Sequence, residues 1–501
     1  MTSRVTNISI PDFNYSRPLD VHRWSDYSEV NDFVNEIYLI LKSIKGHENT
    51  GKKLVKVLLL DLYVAWSADP DLMIMFSRNN NSYKAKSRYN ELHVGKKIID
   101  IVDALVSEEI IHEKRGFNDR KSGISFQSRL WSSDWLKDKF KAAKFNQFHV
   151  QSPKTREPII LRDEDKEDID SYVDTAESIR MRQVLRDYNE LLSNTHIDIF
   201  DLDKPVVEVM DKKRRIRRIQ INQQDKFVRR VFNNGRWDKG GRFYGGWWQR
   251  CPREHRFNIS MDGWKTSEVD YSGLHIVILY AQEGINYWAE INEDPYQLHG
   301  INNIDPEIDL RAAAKLLLLT AINAEDEAKS FRAFRFQAAK GTLEKKMTDE
   351  QLGSLLSALR RKHEPIAHKL ASGAGIDLMY VDSQIAEKII SFFIYDCKCP
   401  ILSVHDSFVV PYGYDRFLEQ SMQSAFEEVT GITHPVVKHT SEYYDVMEEE
   451  PDPNEPEVTE LVFPHLAAEP SDRHIQELKL FKEFKGKPHS EPWVPDWSSV
   501  Y

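Results

Sequence analysis

TSEVDYSGLHIVILYAQE, residues 266–283, is the stretch around which the 501-residue chain is organised. Its first part, ending at Asp270, reads as a strand. Ser272-Gly273 is a small turn, and Leu274 onward is an apolar run that starts a helix. A strand end fixes a carboxylate, and the helix start behind it offers backbone N–H groups to phosphates. An aspartate at such a junction is therefore well placed to hold a metal ion. A lone Asp-Tyr-Ser-Gly is usually only a turn, so its weight depends on a second carboxylate and a cationic helix downstream. Both are present.

Asp309 to Asn323, DLRAAAKLLLLTAIN, predicts a strong helix. Arg311, Lys315, Leu319 and Asn323 recur at i, i+4, i+8 and i+12, which places them along one face. Two cations one turn apart can grip a triphosphate while the apolar residue beyond them packs on a base. An ordinary amphipathic helix with two exposed cations has the same pattern. The second carboxylate lies in Cys399 to Pro411, CPILSVHDSFVVP, where apolar residues run up to His405-Asp406 and resume directly after. This predicts a hairpin with the carboxylate at its tip, and such polar residues between buried strands are costly without partners. Asp270 and Asp406 together can hold two divalent cations. One would lower the pKa of an attacking hydroxyl, and the other would stabilise a leaving pyrophosphate. Magnesium suits a site of few carboxylates completed by water and phosphates, with manganese as a substitute.

Bulk properties fit this chemistry. The chain is 41% hydrophobic and 29% charged, as expected of a globular protein of two or three domains. A net charge of −11 excludes a uniformly basic nucleic-acid coat but not a local basic groove. Cys251, Cys397 and Cys399 are too few for a disulfide framework, and Cys397-Lys398-Cys399 has no partner pair for zinc. The expectation is a cytoplasmic protein with no membrane partner: there is no basic-then-apolar leader, and no apolar run approaches the ~20 residues that span a bilayer.

Along the chain, residues 1–150 form a helical unit. Helices are expected at Val30–Ile44 and Leu54–Ser67, a strand at Leu72–Ser77, and two helices within 83–115. A strand at 110–116, a turn and a strand at 123–131 follow. Helix, helix, strand, turn, strand is the order of a winged helix, and Lys84, Lys86, Arg88, Lys96 and Lys97 lie where one would touch a phosphate backbone. A helical packing domain with solvated charges is the alternative. Residues 151–175 read as a charged, turn-rich linker, and Glu177–Ser193 as an amphipathic helix. Lys212-Lys213-Arg214-Arg215-Ile216-Arg217-Arg218 is a dense basic run. Behind it come FVRRVF at 227–232, with Arg229 and Arg230, and GGRFYGGWWQ at 240–249, with Arg242. Cations interleaved with rings and glycines suit a nucleic-acid strand, although a basic run alone is more often a solvated face. Residues 447–501 form an acidic, proline-bearing tail whose last aromatics, Trp493 and Trp497, are expected to dock on this chain or on a replication partner.

The ordered motifs resemble the palm and fingers of the family A DNA polymerase and single-subunit RNA polymerase superfamily. Asp270-Tyr271-Ser272 resembles its first palm motif, Arg311…Lys315…Thr320 its nucleotide-binding helix, and Val404-His405-Asp406 its third motif. Gly241-Arg242 precedes the first motif as the family's template–primer element does. Glu293-Asp294-Pro295-Tyr296-Gln297-Leu298-His299 stands where the family has an acidic-to-histidine segment. A helix at Phe417–Glu428 and a strand at His434–His439 complete a likeness that spans residues 225–446. There are departures. Five residues beyond the first aspartate, family A DNA polymerases carry a glutamate that crowds a ribose 2′-hydroxyl, and here the residue is His275. The helix carries Leu319 and Asn323-Ala324 in place of an aromatic and a terminal tyrosine-glycine. Leu319-Thr320 and His405-Asp406-Ser407-Phe408 lean toward the RNA enzymes.

The resemblance implies an α+β fold: a right-hand polymerase core of antiparallel sheet and helices at 176–446, preceded by a mostly helical, winged-helix-like domain. It implies a template-directed nucleotidyltransferase, a DNA polymerase of a phage, plasmid or other mobile replicon, acting on a nucleic-acid template and primer with nucleoside triphosphates. Asp270 and Asp406 would ligate two Mg2+ ions, and His405 would position the primer terminus. Arg311 and Lys315 would hold the triphosphate, with Tyr271, Ser272 and Leu319 beside it. His275 and Asn323 would shape the sugar pocket. Arg242, Arg229, Arg230, Lys212, Arg214 and Arg215 would contact nucleic acid. A primase-like or RNA-synthesising enzyme shares this site. A replication initiator with an inactive palm is the reading from another class.

Overall fold

The computed structural model describes residues 12–41, 47–119, 124–210, 216–301, 303–433, 435–439 and 469–486. The architecture is α+β, and its largest sheet is antiparallel around the strand Trp264–Tyr271. That strand pairs along its length with Ser407–Pro411, which turns back into Leu402–Val404. On its other side, its start pairs with Ile259–Met261 and its end with Val437–His439. Helix Asp415–Thr430 packs on this sheet, and helix Leu274–Gln282, which follows the central strand, packs against that helix. Among the described residues, no helix is long and apolar enough to cross a membrane.

A second sheet joins Gly240–Gly245, Val228–Phe232, Ile159–Arg162 and Asp168–Ile169. Two of these strands come from 151–175, so the expected linker is in part sheet. Ile159-Ile160-Leu161 is the reason: an apolar triplet inside a charged run, buried where Ile159–Arg162 runs parallel to Val228–Phe232. Helix Gly375–Ser391 packs across this sheet, and Gly241 makes the close approach. Its φ is +80°, and a Cβ there would lie 2.7 Å from the Phe232 ring and 2.9 Å from Ser383 Oγ.

The N-terminal unit has its own core around the helix Glu48–Ala68, which is buried almost all round from Leu54 to Ala65. Against it lie helices Ser28–Ile40 and Ile98–Ser107 and a four-stranded sheet that includes Ile111–Lys114 and Ser128–Ser132. Of the two helices expected in 83–115, one forms. Residues 83–97 are turns, because Asn90 bonds the backbone on both sides, accepting from Val94 N and donating to the carbonyls of Lys84 and Val94. The helix–helix pair of a winged helix is thus missing its first member. Arg88 faces inward, 3.7 Å from the Tyr172 ring centroid and paired with Asp174 at 3.2 Å. Lys84, Lys86, Lys96 and Lys97 are exposed.

Within the expected tail, residues 472–485 form a helix, Asp472–Lys485, capped by Ser471 and buried through His474, Phe481 and Phe484. The last aromatics, Trp493 and Trp497, lie outside the described residues.

Candidate active site

Strand alternation builds one wall of the site. Along Trp264–Tyr271, Glu268 and Asp270 fall on one face, while Val269 and Tyr271 fall on the other. Tyr271 is therefore not a substrate contact. It is buried, its Oη donates to Met422 O at 2.5 Å, and its ring packs on Phe426. Asp270 is in register with Ser407, which brings it beside the hairpin turn His405-Asp406, and Tyr271 N donates to Asp406 O at 3.4 Å. His405 stands exposed in the turn at φ 56°.

The two carboxylates are electrostatically uncomfortable. Asp270 is pushed up to about 7, first by burial, then by Asp406 and Glu268; Lys315 and Arg253 oppose the shift. Its Oδ1 is buried with no hydrogen-bond partner among the described residues. Asp406 is also raised, first by burial and next by Asp382. Glu268, by contrast, is satisfied: Arg256 donates to it at 2.6 and 3.0 Å and Ser407 Oγ at 2.7 Å.

The opposite wall is the helix Leu310–Asn323, capped by Asp309, with Ala313, Ala314, Leu317 and Leu318 buried and Arg311 and Lys315 exposed. Both cations lie over the Tyr296 ring, at 5.6 and 5.5 Å from its centroid. Arg311 Nε also donates to Asp294 Oδ2 at 2.5 Å. Burial, and after it the charge of Asp406, pushes the Tyr296 hydroxyl up to about 12, so the ring that carries the two cations also adjoins the carboxylates. Below it is the turn at Ser272-Gly273. Gly273 has φ 68°, and a Cβ there would come within 3.7 Å of Pro295.

The other expected residues divide. Leu319 is half-buried on the same helix. Asn323 lies ~18 Å along the axis from Arg311. There it donates to Leu319 O at 2.7 Å and packs against Gly375, with no hydrogen bond to His275 among the described residues. Arg242 and His275 do come together: Arg242 Nη2 donates to His275 Nε2, and Arg242 Nε donates to Asp382 Oδ2 at 2.6 Å. Arg229 is exposed. Arg230 is 1% exposed, paired with Glu387 and bonded to Gly241 O and Ser383 Oγ, so it is core rather than nucleic-acid contact. Trp247 and Trp248 are likewise core, and Trp248 Nε1 donates to Ser403 O; Tyr244 is the exposed ring of that segment. Lys212, Arg214 and Arg215 lie outside the described residues.

Sequence reasoning missed Asp382. It sits with Leu378, Ile385, Ala386 and Ile389 on the buried stripe of helix Gly375–Ser391, and a carboxylate on an apolar stripe is the signal that could have found it.

Two divalent cations fit the residues present. An orphaned buried carboxylate oxygen beside a second carboxylate is a donor set short of positive charge, and two carboxylates leave room for water and phosphate ligands.

No protein-family model matches the sequence, and no curated protein matches it. Among solved structures, the chain is similar to the polymerase domain of Pol1 from M. smegmatis in complex with DNA primer-template and dNTP. Identity is 14% over 52% of this chain and 51% of that one, with a TM-score of 0.25. The chain thus spans about half the length of that domain, and at this TM-score the likeness carries no weight beside the geometry.

Proposed function

We propose that this protein is a template-directed nucleotidyltransferase of the palm-and-fingers type, a DNA polymerase of a mobile replicon. One observation carries the reading: two desolvated carboxylates, Asp270 near a strand end and Asp406 in the adjoining hairpin turn, face a helix that presents two cations across a tyrosine ring. A nuclease needs the carboxylates but has no use for the cationic helix. Nucleotidyl transfer uses both, because a triphosphate brings negative charge to each wall.

Asp270 and Asp406 would hold two Mg2+ ions, which when bound activate the attacking hydroxyl and stabilise the leaving pyrophosphate. Lys315 and Arg311 bind the triphosphate and orient it in line, and Tyr296 excludes water beneath it. His405, exposed at the hairpin tip, positions the primer terminus, and Arg229 and Arg242 lie toward the nucleic acid. A second reading, synthesis with ribonucleotides, is favoured by His275. Where a glutamate would crowd a 2′-hydroxyl, the site has a half-buried imidazole tied to Arg242.

Extension of a labelled primer, with deoxy- and ribonucleotides in parallel and a no-primer lane, tests both readings. Extension that vanishes in Asp270→Ala and Asp406→Ala is expected. No product with either sugar refutes the proposal.

A further inference from the structure

Two β-ribbons are rooted at neighbouring points of the molecule. The first continues the pair Ile111–Lys114 and Ser128–Ser132 into Phe117–Asp119 and Ile124–Phe126. The second joins Val206–Met210 to Ile216–Gln220. Both meet the turn at Asp12–Tyr15. Lys114 Nζ lies 4.1 Å from the Phe13 ring centroid, and Arg129 Nε donates to Phe13 O at 3.1 Å. From the other ribbon, the Arg218 guanidinium lies 4.6 Å from the Tyr15 ring centroid, and Gln220 Nε2 donates to Tyr15 Oη at 3.1 Å.

The ribbons share one build. Phe117–Asp119 pairs only with Ile124–Phe126 among the described residues, and Val206–Met210 only with Ile216–Gln220. Each then carries a register pair of apolar side chains in water. Phe117 stands opposite Phe126, 55% and 45% exposed with ring centroids 5.3 Å apart; Met210 stands opposite Ile216, 68% and 60% exposed. Cross-strand pairs steady a ribbon, but neither of these joins a hydrophobic core, and large apolar side chains grouped in water mark a contact surface. Cations flank both pairs. Lys114 is exposed beside the first, and Arg217 is exposed beside the second with no ion pair among the described residues. By sequence, the segments that close the ribbons, 120–123 and 211–215, hold six cations and one acid; they lie outside the described residues. In a chain of net charge −11 this is a local reversal of sign.

We propose that the two ribbons are arms of one nucleic-acid-binding surface, in which Phe117, Phe126, Met210 and Ile216 lie against bases and sugars while Lys114 and Arg217 meet phosphates. This goes beyond the nucleotidyltransferase reading, because it assigns binding to side chains outside the carboxylate site and needs no turnover. A polyanion with flat apolar faces matches both halves of each arm. Rings stack on bases and aliphatic side chains wedge beside them, with the flanking cations on the backbone. The common root at Asp12–Tyr15 ties the arms together, so one ligand meets both.

The test uses the full-length protein and fluorescence anisotropy with a labelled single strand, a duplex and a primer–template junction, each across a range of salt. Wild type is compared with Phe117→Ala/Phe126→Ala, Met210→Ala/Ile216→Ala, Arg217→Ala, Phe117→Trp and, as an exposed apolar residue elsewhere, Leu39→Ala. Each apolar pair variant is expected to raise Kd about tenfold on the form the arms hold, with the salt slope unchanged. Which form shows the loss tells a single strand from a duplex. Arg217→Ala should lower the slope by about one. Phe117→Trp should keep the affinity, since a larger ring still stacks, and Leu39→Ala should change nothing. Thermal unfolding should match wild type throughout, because none of these side chains lies in a core. Pair variants that bind all three forms as wild type does overturn the inference and leave the polymerase reading standing. A loss confined to one pair overturns the shared surface. So does a wild-type dimer whose pair variants are monomers of unchanged Kd, which would make the ribbons a contact between copies. Binding lost in the pair variants of a protein that extends no primer upholds the arms while the polymerase reading falls, and a wild type that binds none of the three forms overturns both.

Discussion

Two buried carboxylate clusters in this molecule are opposites. At the docking surface of the C-terminal helix, Asp198 is 1% exposed. It accepts from Arg473 at 2.9 Å on both oxygens and from His474 Nδ1 at 2.6 Å. Burial alone would raise it, but the His474 and Arg473 bonds hold it below the ordinary carboxylate value. His196 and Glu477 close around it, so the group resembles a metal site by residue type while its charge is already matched. Asp270 has the reverse environment: another aspartate and a glutamate nearby, an unpartnered oxygen, and a pKa pushed up to about 7 by burial first. A buried acid with every partner in place is holding the fold together, whereas one left short of charge is kept for something the chain does not supply.

Removing charge from each cluster should therefore break different things. Asp270→Ala or Asp406→Ala leaves the fold intact and lowers primer extension by about 10³-fold or more, since metal stabilisation of the transition state is worth several kcal/mol. Single-turnover rates on a primed template measure it. Normal rates in either variant would mean that these carboxylates do not hold the reacting groups. Asp198→Ala does the opposite. Leaving Arg473 and His474 without their anion costs about 3–5 kcal/mol, and the C-terminal helix is released. Limited proteolysis around 469–486 should accelerate strongly while extension at low temperature continues. An unchanged cleavage pattern would show that the ion pair does not hold that helix.

The cationic wall sharpens the comparison next. Lys315 makes no ion pair among the described residues, so its charge is free for a ligand. Lys315→Ala is expected to raise KM for the nucleotide by about ten- to hundredfold, the value of a charge-assisted bond of about 1.5–3 kcal/mol, with little change in stability. Initial rates against nucleotide concentration read this directly, and an unchanged KM would remove the helix from the binding site.

Much of this site is legible in the amino-acid sequence, and the misses share a cause. The strand-end position of Asp270, the hairpin-turn position of Asp406 and the one-turn spacing of Arg311 and Lys315 on a helix are legible because each rests on local pattern. Tyr271 and Arg230 mislead although the same alternation decides them. If Asp270 faces the site, its neighbour Tyr271 faces away, and of two adjacent strand residues, Arg229 and Arg230, only one can face solvent. Trp247 and Trp248 read as stacking rings because composition does not say which aromatics the core consumes. Asp382 and the strand Ile159–Arg162 depend on partners more than fifty residues away, Arg242 and Val228–Phe232, and no window of sequence contains both sides.

The smallest effect is also the cleanest contrast between the clusters, because it needs no activity. In the metal-free protein the folded pKa of Asp270 is raised above its unfolded value, so the folded state binds its proton more tightly. Its contribution to stability is fully present below the unfolded pKa of about 4 and is lost as pH rises through about 7. Asp270→Asn cannot ionise. Relative to wild type it should unfold at the same temperature near pH 4 and at a higher one near pH 7.5, by about 1–3 kcal/mol. Asp198→Asn should be less stable than wild type near neutrality and lose that deficit toward acid, because its folded pKa is depressed. Adding Mg2+ should stabilise wild type at pH 7.5 and leave Asp270→Asn little changed. Thermal unfolding across this range, with and without Mg2+, measures all three. If the Asp270→Asn difference did not grow with pH, that carboxylate would be as well matched as Asp198, and the contrast between the two clusters would fail.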